Sequence, residues 1–492
     1  MLFADVMARL QDIAAFPVPP SWRAAAQVDV RGVTADSRQA GAGALFVAIP
    51  GTRADGRQFI ADAVDRGCAM VLAPPGTEWP PGVPPRPLID DPEPRRRLAQ
   101  IAAVLAGPQP HTIAAVTGTN GKTSTVEFLR QLWALSGRRA ASLGTLGVIA
   151  PGVATGPGLT TPDPVALANT LAALARDEVQ HAALEASSHG LDQFRLDGLQ
   201  LSAAAFTNLT RDHLDYHGDM AAYRAAKLRL FADLLPQGAP AVASTELDAD
   251  SLSALRGIAA RRRLDLRTVG GNGAFLRLIA AMPLPDGQAL EIECAGRRRT
   301  VEIKLPGRFQ AENVLVAAAL ALATGVADAL DRLPLLTGVR GRMELAARLP
   351  NGAVVYVDYA HTPDALDRLL AALRPHTRGR LHVVFGAGGD RDPGKRPMMG
   401  DIAARRADVA IVTDDNPRSE DPAAIRAAVL AGCAHGTAIA GREAAIAAAL
   451  AGLGPGDVLA VAGKGHEQGQ TIGATVLPFD DVSVVRRLAG GG

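Results

Sequence analysis

Apolar and polar positions in the opening stretch MLFADVMARLQDIAAF predict an amphipathic helix, because Asp5 and Arg9 interrupt what a signal peptide would need as an apolar run. ALFVAIP (Ala44 to Pro50), set between Gly-rich turns, predicts a strand, and AMVLA predicts another after a short helix. APPGTEWPPGVPPRP is so rich in Pro and Gly that it predicts a surface loop. A helical pattern from Arg95 to Leu105 then ends at GPQPH. From Thr112 short strands alternate with helices: TIAAVT, a Gly-rich turn, a helix over Lys122 to Leu135, then HAALEA and SAAAFTNL. Such alternation predicts a mostly parallel sheet covered by helices. Residues 274 to 305 break the rhythm and predict an antiparallel meander, followed by a helix over Ala311 to Thr324. Alternation resumes with AVVYVD, LHVVFG, VAIVTD, TAIA and DVLAVAG, a second doubly wound pattern. The expectation is an α/β chain of three domains, residues 1–106, 107–340 and 341–492, with no internal repeat.

Composition narrows the function. Lys plus Arg is 51 against 50 for Asp plus Glu, so no charge excess exists for a nucleic-acid backbone or an anionic membrane surface. No apolar run reaches the length of a membrane span. Three scattered cysteines, Cys68, Cys294 and Cys433, fit neither a disulfide framework nor a zinc knuckle and suit a cytoplasmic protein. Only five basic residues are lysine: Lys122, Lys227, Lys304, Lys395 and Lys464. In a chain that uses Arg wherever a solvated cation suffices, these lysines are candidates for roles that need an amine.

TGTNGKTS (Thr117 to Ser124) sits between a predicted strand and a helix. Amides of Gly118, Thr119, Asn120 and Gly121 can wrap phosphate oxygens, Lys122 can reach terminal phosphates, and the Thr123 hydroxyl can hold magnesium beside Ser124. Strict GxxxxGK[ST] spacing would need glycine at Val116. Glu185, ending the strand HAALEA, can face a cation held by Thr123, although a carboxylate there also serves as a helix cap. His213 and His217 have a helical zinc spacing, and equally suit an ordinary surface loop. GDRDPGKRP and DDNPRSEDP each bring Arg and carboxylates to a strand end, a pairing that recognises a zwitterion or simply caps two turns. GKGHEQ adds a third cluster on that edge, where open α/β sheets bind ligands.

Taken in order, TGTNGKTS, LTTPDP, EASSHGLDQFR, TNLTRDHLDYHG, AAKLRLF, GRFQAEN, GRME, DYAHTP, GDRDPGKRP, DNPR and GKGHE resemble the Mur ligases, and within them the members that add meso-diaminopimelate. The resemblance implies a domain for the uridine diphosphate end, a central P-loop ATPase and a Rossmann-like domain for the incoming amino acid. It implies an ATP- and magnesium-dependent ligase acting on UDP-N-acetylmuramoyl-L-alanyl-D-glutamate, with no nucleic-acid partner and as a monomer. Asn313, Arg342, Asp358 and His361 would reach the nucleotide, with Gln310 standing where the family usually has Asn. Thr160, Thr161, Ser188, Gln193 and Arg195 would hold the muramoyl dipeptide, and Ala35, Ser37, Thr52, Arg53 and Ala54 the uridine end.

Further implications concern the chemistry. Lys227, fourteen residues after His213, stands where the family carries a carbamylated lysine that joins Thr123, Glu185 and His213 around magnesium; without the resemblance it reads as a helix-surface lysine. Arg391, Asp415, Asn416, Pro417, Arg418, Gly463 and Glu467 match the amino-acid pocket. Lysine-adding members lack the Arg of DNPR, so Arg418 implies a substrate with a second amino-carboxylate centre. The rival readings are another amide-forming ligase on the same scaffold, such as a folylpolyglutamate synthetase or the lysine-adding homologue, and a nucleotide switch or sensor that joins nothing.

Overall fold

The computed structural model describes residues 1–13, 18–51, 54–284 and 287–490. They pack into two compact units, residues 1–268 with 319–327 and residues 269–318 with 328–492.

The first unit contains two sheets. In the helix Phe3–Ile13, Phe3, Val6 and Leu10 fall on one face and are buried with Trp22. They cover a parallel sheet of Gly32–Thr34, Ala44–Val47, Met70–Ala73 and Leu88–Asp90. Strand alternation serves two cores: Leu45, Val47 and Leu72 face that helix, while Phe46 and Val71 meet Ile60 on the opposite side. The Pro-rich stretch joins the last two strands without regular structure.

The second sheet of this unit runs, through its five central strands, Pro240–Ser244, Ala203–Phe206, Thr112–Thr117, His181–Glu185, Ala140–Gly144, all parallel. Antiparallel strands Gly147–Ala150 and Val153–Ala154 extend it, a hairpin the apolar pattern does not announce because Gly and small residues fill it. Helices Pro94–Ala106 and Pro164–Arg176 pack together, and Arg96 and Arg229 both bind the buried Asp197 carboxylate. These contacts weld the two sheets into one unit.

In the second unit Leu276–Leu284, Gly287–Cys294 and Arg297–Ile303 form the expected antiparallel meander, with a bulge between Leu278 and Ala280. The main sheet has the order Glu344–Arg348, Val354–Asp358, Val458–Ala462, Leu381–Phe385, Val409–Val412, Thr437–Ala438. Only its first strand is antiparallel to its neighbour. Both faces carry separate apolar cores, as a doubly wound sheet requires. Among the described residues, no helix is long and apolar enough to cross a membrane.

Candidate active site

The strand Thr112–Thr117 hands the chain to a loop that opens the helix Lys122–Leu135. Gly118 has φ +150°, and a Cβ there would stand 1.9 Å from Thr207 Oγ1; Gly121 is left-handed at +84°, so both positions need glycine. The neighbouring strand end braces the loop. Asn208 Oδ1 accepts from Asn120 N (2.9 Å), Thr207 Oγ1 donates to Asn120 O (2.7 Å), and Thr119 Oγ1 donates to Thr210 O (3.1 Å). No side chain caps the helix, so its first amides and dipole face the loop mouth, the arrangement that binds phosphate. Lys122 Nζ folds back on the carbonyls of Gly118 and Thr119, both at 2.9 Å. Ser124 is buried in the first helical turn.

Thr123 Oγ1 donates to Glu185 Oε1 at 3.0 Å, so the residue pair expected to share a cation is assembled. Glu185 is 2% exposed and also accepts from Thr145 N at 2.8 Å. From there hydrogen bonds continue. Thr145 Oγ1 meets Thr160 Oγ1 at 3.0 Å, and Thr161 Oγ1 donates to Glu185 O at 2.8 Å. Arg195 donates to Thr161 O (2.6 Å) and Gln193 Oε1 (2.7 Å), and Gln193 Nε2 donates to Tyr216 OH (3.1 Å). Ser188 Oγ is buried without a hydrogen-bond partner beside this chain. Burial lowers the Arg195 pKa, opposed chiefly by Asp163.

Lys227, on the helix Met220–Arg229, is not a surface lysine: it is 1% exposed, with Nζ donating to Gly118 O at 2.9 Å and standing 4.5 Å from the centre of the Tyr223 ring. Burial, then the neighbouring Lys122 charge, holds its amine well below the usual lysine range. The same enclosure raises the Tyr223 phenol to about 12. His213 is exposed, left-handed (φ +52°), and precedes the short helix Leu214–His217. Its ring contacts are Asp212, His189 and Tyr223; Glu185 is not among them. Among the described residues no three His, Cys, Asp or Glu side chains gather as a cation site. The oxygen pair Thr123 and Glu185 therefore makes the part of the expected magnesium site that the fold assembles, and its hard donors fit that ion.

At the amino-terminal sheet Ala35 and Ser37 follow the carboxyl end of Gly32–Thr34. Ser37 hydrogen-bonds Asp62, and Ala54 is exposed after Ala44–Val47. Thr52 and Arg53 lie outside the described residues.

The second unit places its polar clusters at the carboxyl ends of four parallel strands. Asp358 ends one and accepts from Met343 N (2.6 Å) and Ala360 N (2.8 Å); burial raises its pKa against the pull of Arg342. Arg342 lies 4.9 Å from the centre of the Tyr359 ring. His361 accepts nothing from Lys395 at its ring, but its carbonyl takes the Lys395 Nζ donation at 3.0 Å, and burial depresses both titrations. Asn313 donates to Gln310 Oε1 (3.3 Å), and Gln310 donates to Arg342 O (3.3 Å), so the Gln fills a structural role.

Asn416 joins the amino-acid cluster together. Its Oδ1 accepts from Lys464 Nζ and Thr471 N, both at 2.9 Å, and its Nδ2 donates to Glu467 at 3.0 Å. Pro417 is buried beside it, Gly463 turns at φ +121°, and Asp415 Oδ1 is buried without a hydrogen-bond partner, Lys464 approaching to 3.5 Å. Arg418, left-handed and half-buried, donates to Gly389 O (2.7 Å) and forms no ion pair among the described residues; Arg391 is exposed. Sequence reasoning missed Thr145 and Asn208, whose residue types carry no signal until the fold brings them to Glu185 and the loop.

A phosphate-binding loop with a Thr–Glu oxygen pair in one unit, and polar clusters at the strand ends of the other, are the parts of a nucleotide-dependent enzyme. Family models describe the same parts: Mur ligase family, catalytic domain (residues 29–104), Mur ligase middle domain (116–321), and Mur ligase, glutamate ligase domain (341–465). The chain is 52% identical over 471 residues to the UDP-N-acetylmuramoyl-L-alanyl-D-glutamate--2,6-diaminopimelate ligase of Rhizobium meliloti, covering 95% of this chain and 96% of that one. It is 53% identical to the ligase of the same name from Caulobacter vibrioides, covering 92% and 94%. A solved structure of a ligase of that name matches with TM-score 0.72 at 33% identity, covering 98% of both chains. Mycobacterium tuberculosis folylpolyglutamate synthase, at 18% identity and TM-score 0.63 over 81% of this chain and 95% of that one, shares the fold. The chain belongs to the Mur ligase family, and is an ATP-dependent amide ligase of three Mur ligase domains.

Proposed function

We propose that the chain joins an amine of meso-diaminopimelate to the D-glutamyl side-chain carboxylate of UDP-N-acetylmuramoyl-L-alanyl-D-glutamate, with ATP and magnesium, in the cytoplasm, where its three free thiols persist. The observation that carries the choice of amino acid is Arg418, a guanidinium at a strand end bound by one carbonyl and open to a carboxylate. The relatives at about half identity bear the name of that reaction.

A carboxylate is a poor electrophile, so it first takes the γ-phosphoryl group of ATP and becomes an acyl phosphate. Lys122 and the loop amides offset repulsion between the two anions and steady charge on the group in flight. Thr123, Glu185 and Lys227 as its carbamate would hold magnesium, which adds charge neutralisation at the phosphates. Carbamate formation needs a neutral amine, and burial lowers the Lys227 pKa and so favours that form. Thr160, Thr161, Ser188, Gln193 and Arg195 hold the acyl substrate at the loop, and Asp415 and Arg418 present the amine. Residues 1–106, 107–340 and 341–492 take the uridine end, ATP and the amino acid respectively. Acyl transfer through phosphate predicts that ¹⁸O placed in the glutamyl carboxylate emerges in released phosphate. Unlabelled phosphate from a productive reaction would sink the proposal.

A further inference from the structure

Arg442 opens the helix Arg442–Ala451 in the second unit and is 1% exposed. Its Nε donates to Asp481 Oδ1 (2.7 Å), and Nη2 donates to Asp481 Oδ2 (2.6 Å) and the Ala462 carbonyl (2.9 Å). The third nitrogen, Nη1, is buried with no hydrogen-bond partner, and so is Asp415 Oδ1. Both side chains converge on Gly463, where a Cβ would stand 3.7 Å from Asp415 Oδ2 and 3.8 Å from Arg442 Nη1. A second tie joins the same elements: Gly441 N donates to Asp414 Oδ2 at 2.8 Å, and Arg426 pairs with that carboxylate.

A buried ion pair is a weak source of stability, since desolvation offsets much of its attraction. Leaving Nη1 unpaired makes this one costlier still. Its placement accounts for it better than stability does. The guanidinium grips the last residue of the strand Val458–Ala462, one position before the Gly463 turn, and directs its remaining cationic edge toward the Asp415 side of that turn.

We propose that Arg442 is a positioning residue of the amino-acid pocket: it fixes the Ala462–Gly463 turn against Asp415 and so sets the carboxylate that receives an ammonium of the incoming diamino acid. This rests on the pocket reading above. Arg442 itself touches no substrate, so its loss acts on amino-acid binding and leaves the phosphoryl step alone.

The test is steady-state kinetics of Arg442→Met and Arg442→Lys with each of the three substrates varied in turn. Arg442→Met is expected to raise KM for diaminopimelate about tenfold, with kcat within about threefold and KM for ATP and the UDP-substrate within about twofold. Arg442→Lys keeps a cation by Asp415 and is expected to recover part of the loss. Unchanged KM for diaminopimelate in either variant, or a common rise in all three KM values, overturns the inference. If Arg442→Met does not fold, Arg442→Lys decides alone, with a rise confined to diaminopimelate as the supporting result. Failure of the wild type to saturate with diaminopimelate would instead overturn the pocket reading.

Discussion

The loop of the first unit and the strand ends of the second differ in what they leave unpaired: a neutral hydroxyl, Ser188 Oγ, in the first, and a carboxylate oxygen, Asp415 Oδ1, in the second. Around the loop of the first unit, side-chain and backbone polar groups are linked in a run from Thr123 through Glu185, Thr145 and Thr161 to Arg195 and Gln193. At the strand ends of the second unit, Arg418 has one carbonyl, Arg391 is exposed and Asp415 keeps an unpaired oxygen. A site that stabilises developing charge gains from donors fixed in advance. A site that recognises a zwitterion gains from charges left for the ligand to complete, because a substrate lacking one of them then leaves a partner unsatisfied.

Lys122→Ala breaks the first side most sharply. Turnover should fall by about 10³-fold or more, since in the proposed reaction the lysine turns to the phosphates in transfer. Its amine donates to the loop carbonyls of Gly118 and Thr119, neutral contacts of a partly exposed side chain, so thermal unfolding should hardly move. Retained ligation at wild-type rate would mean that the loop does not bind ATP.

Lys227→Ala and Lys227→Arg should also lose ligation, because neither can carry a carbamate. The sharper readout is a ¹³C resonance from labelled bicarbonate, present in wild type and absent in both variants. Active enzyme without that resonance would remove Lys227 from the cation site. No lysine without the surrounding burial would serve, which is why the sequence offered only position and scarcity as hints.

On the other side, Arg418→Ala should lower kcat/KM for meso-diaminopimelate about thirtyfold, corresponding to roughly 2 kcal/mol, because the guanidinium is only half-buried. Arg391→Ala, more exposed, should cost about threefold to tenfold. Equal losses for lysine as substrate would show that neither residue reads the second amino-carboxylate centre.

A prediction independent of the chemistry concerns acid stability, where the two units should behave alike. Burial depresses His181 in the first unit and His466 in the second to about 4. Each folded imidazole stays neutral while the unfolded one protonates near 6.5, so stability is full above that value and declines as pH falls toward 4. His181→Gln should flatten part of that decline, and unfolding midpoints from pH 7 to 4 measure it. An unchanged slope would mean that His181 does not titrate differently on folding.

Much of this was legible in the chain because strand periodicity and strand-end clusters are local signals. TIAAVT, HAALEA, VAIVTD and DVLAVAG each ended beside the polar residues that the fold gathers. The links were not legible. Thr145 sits in a Gly-rich hairpin with no apolar alternation, and Asn208, at the end of the predicted strand SAAAFTNL, shows its bond to the loop only once the strand Ala203–Phe206 pairs beside Thr112–Thr117. Arg96 and Arg229 converge on Asp197 from helices distant in sequence, a pairing that no local pattern announces. His213 is the reverse case: spacing suggested a ligand, and the left-handed backbone before a four-residue helix turns it toward Asp212, His189 and Tyr223.

The most direct test of the ligase assignment is mass spectrometry of the product formed from UDP-N-acetylmuramoyl-L-alanyl-D-glutamate, ATP and equal amounts of meso-diaminopimelate and lysine. The enzyme should give one nucleotide product, heavier by diaminopimelate less water, with one ADP and one phosphate per bond formed. A lysine adduct in comparable amount, or ATP turnover without any adduct, would contradict it.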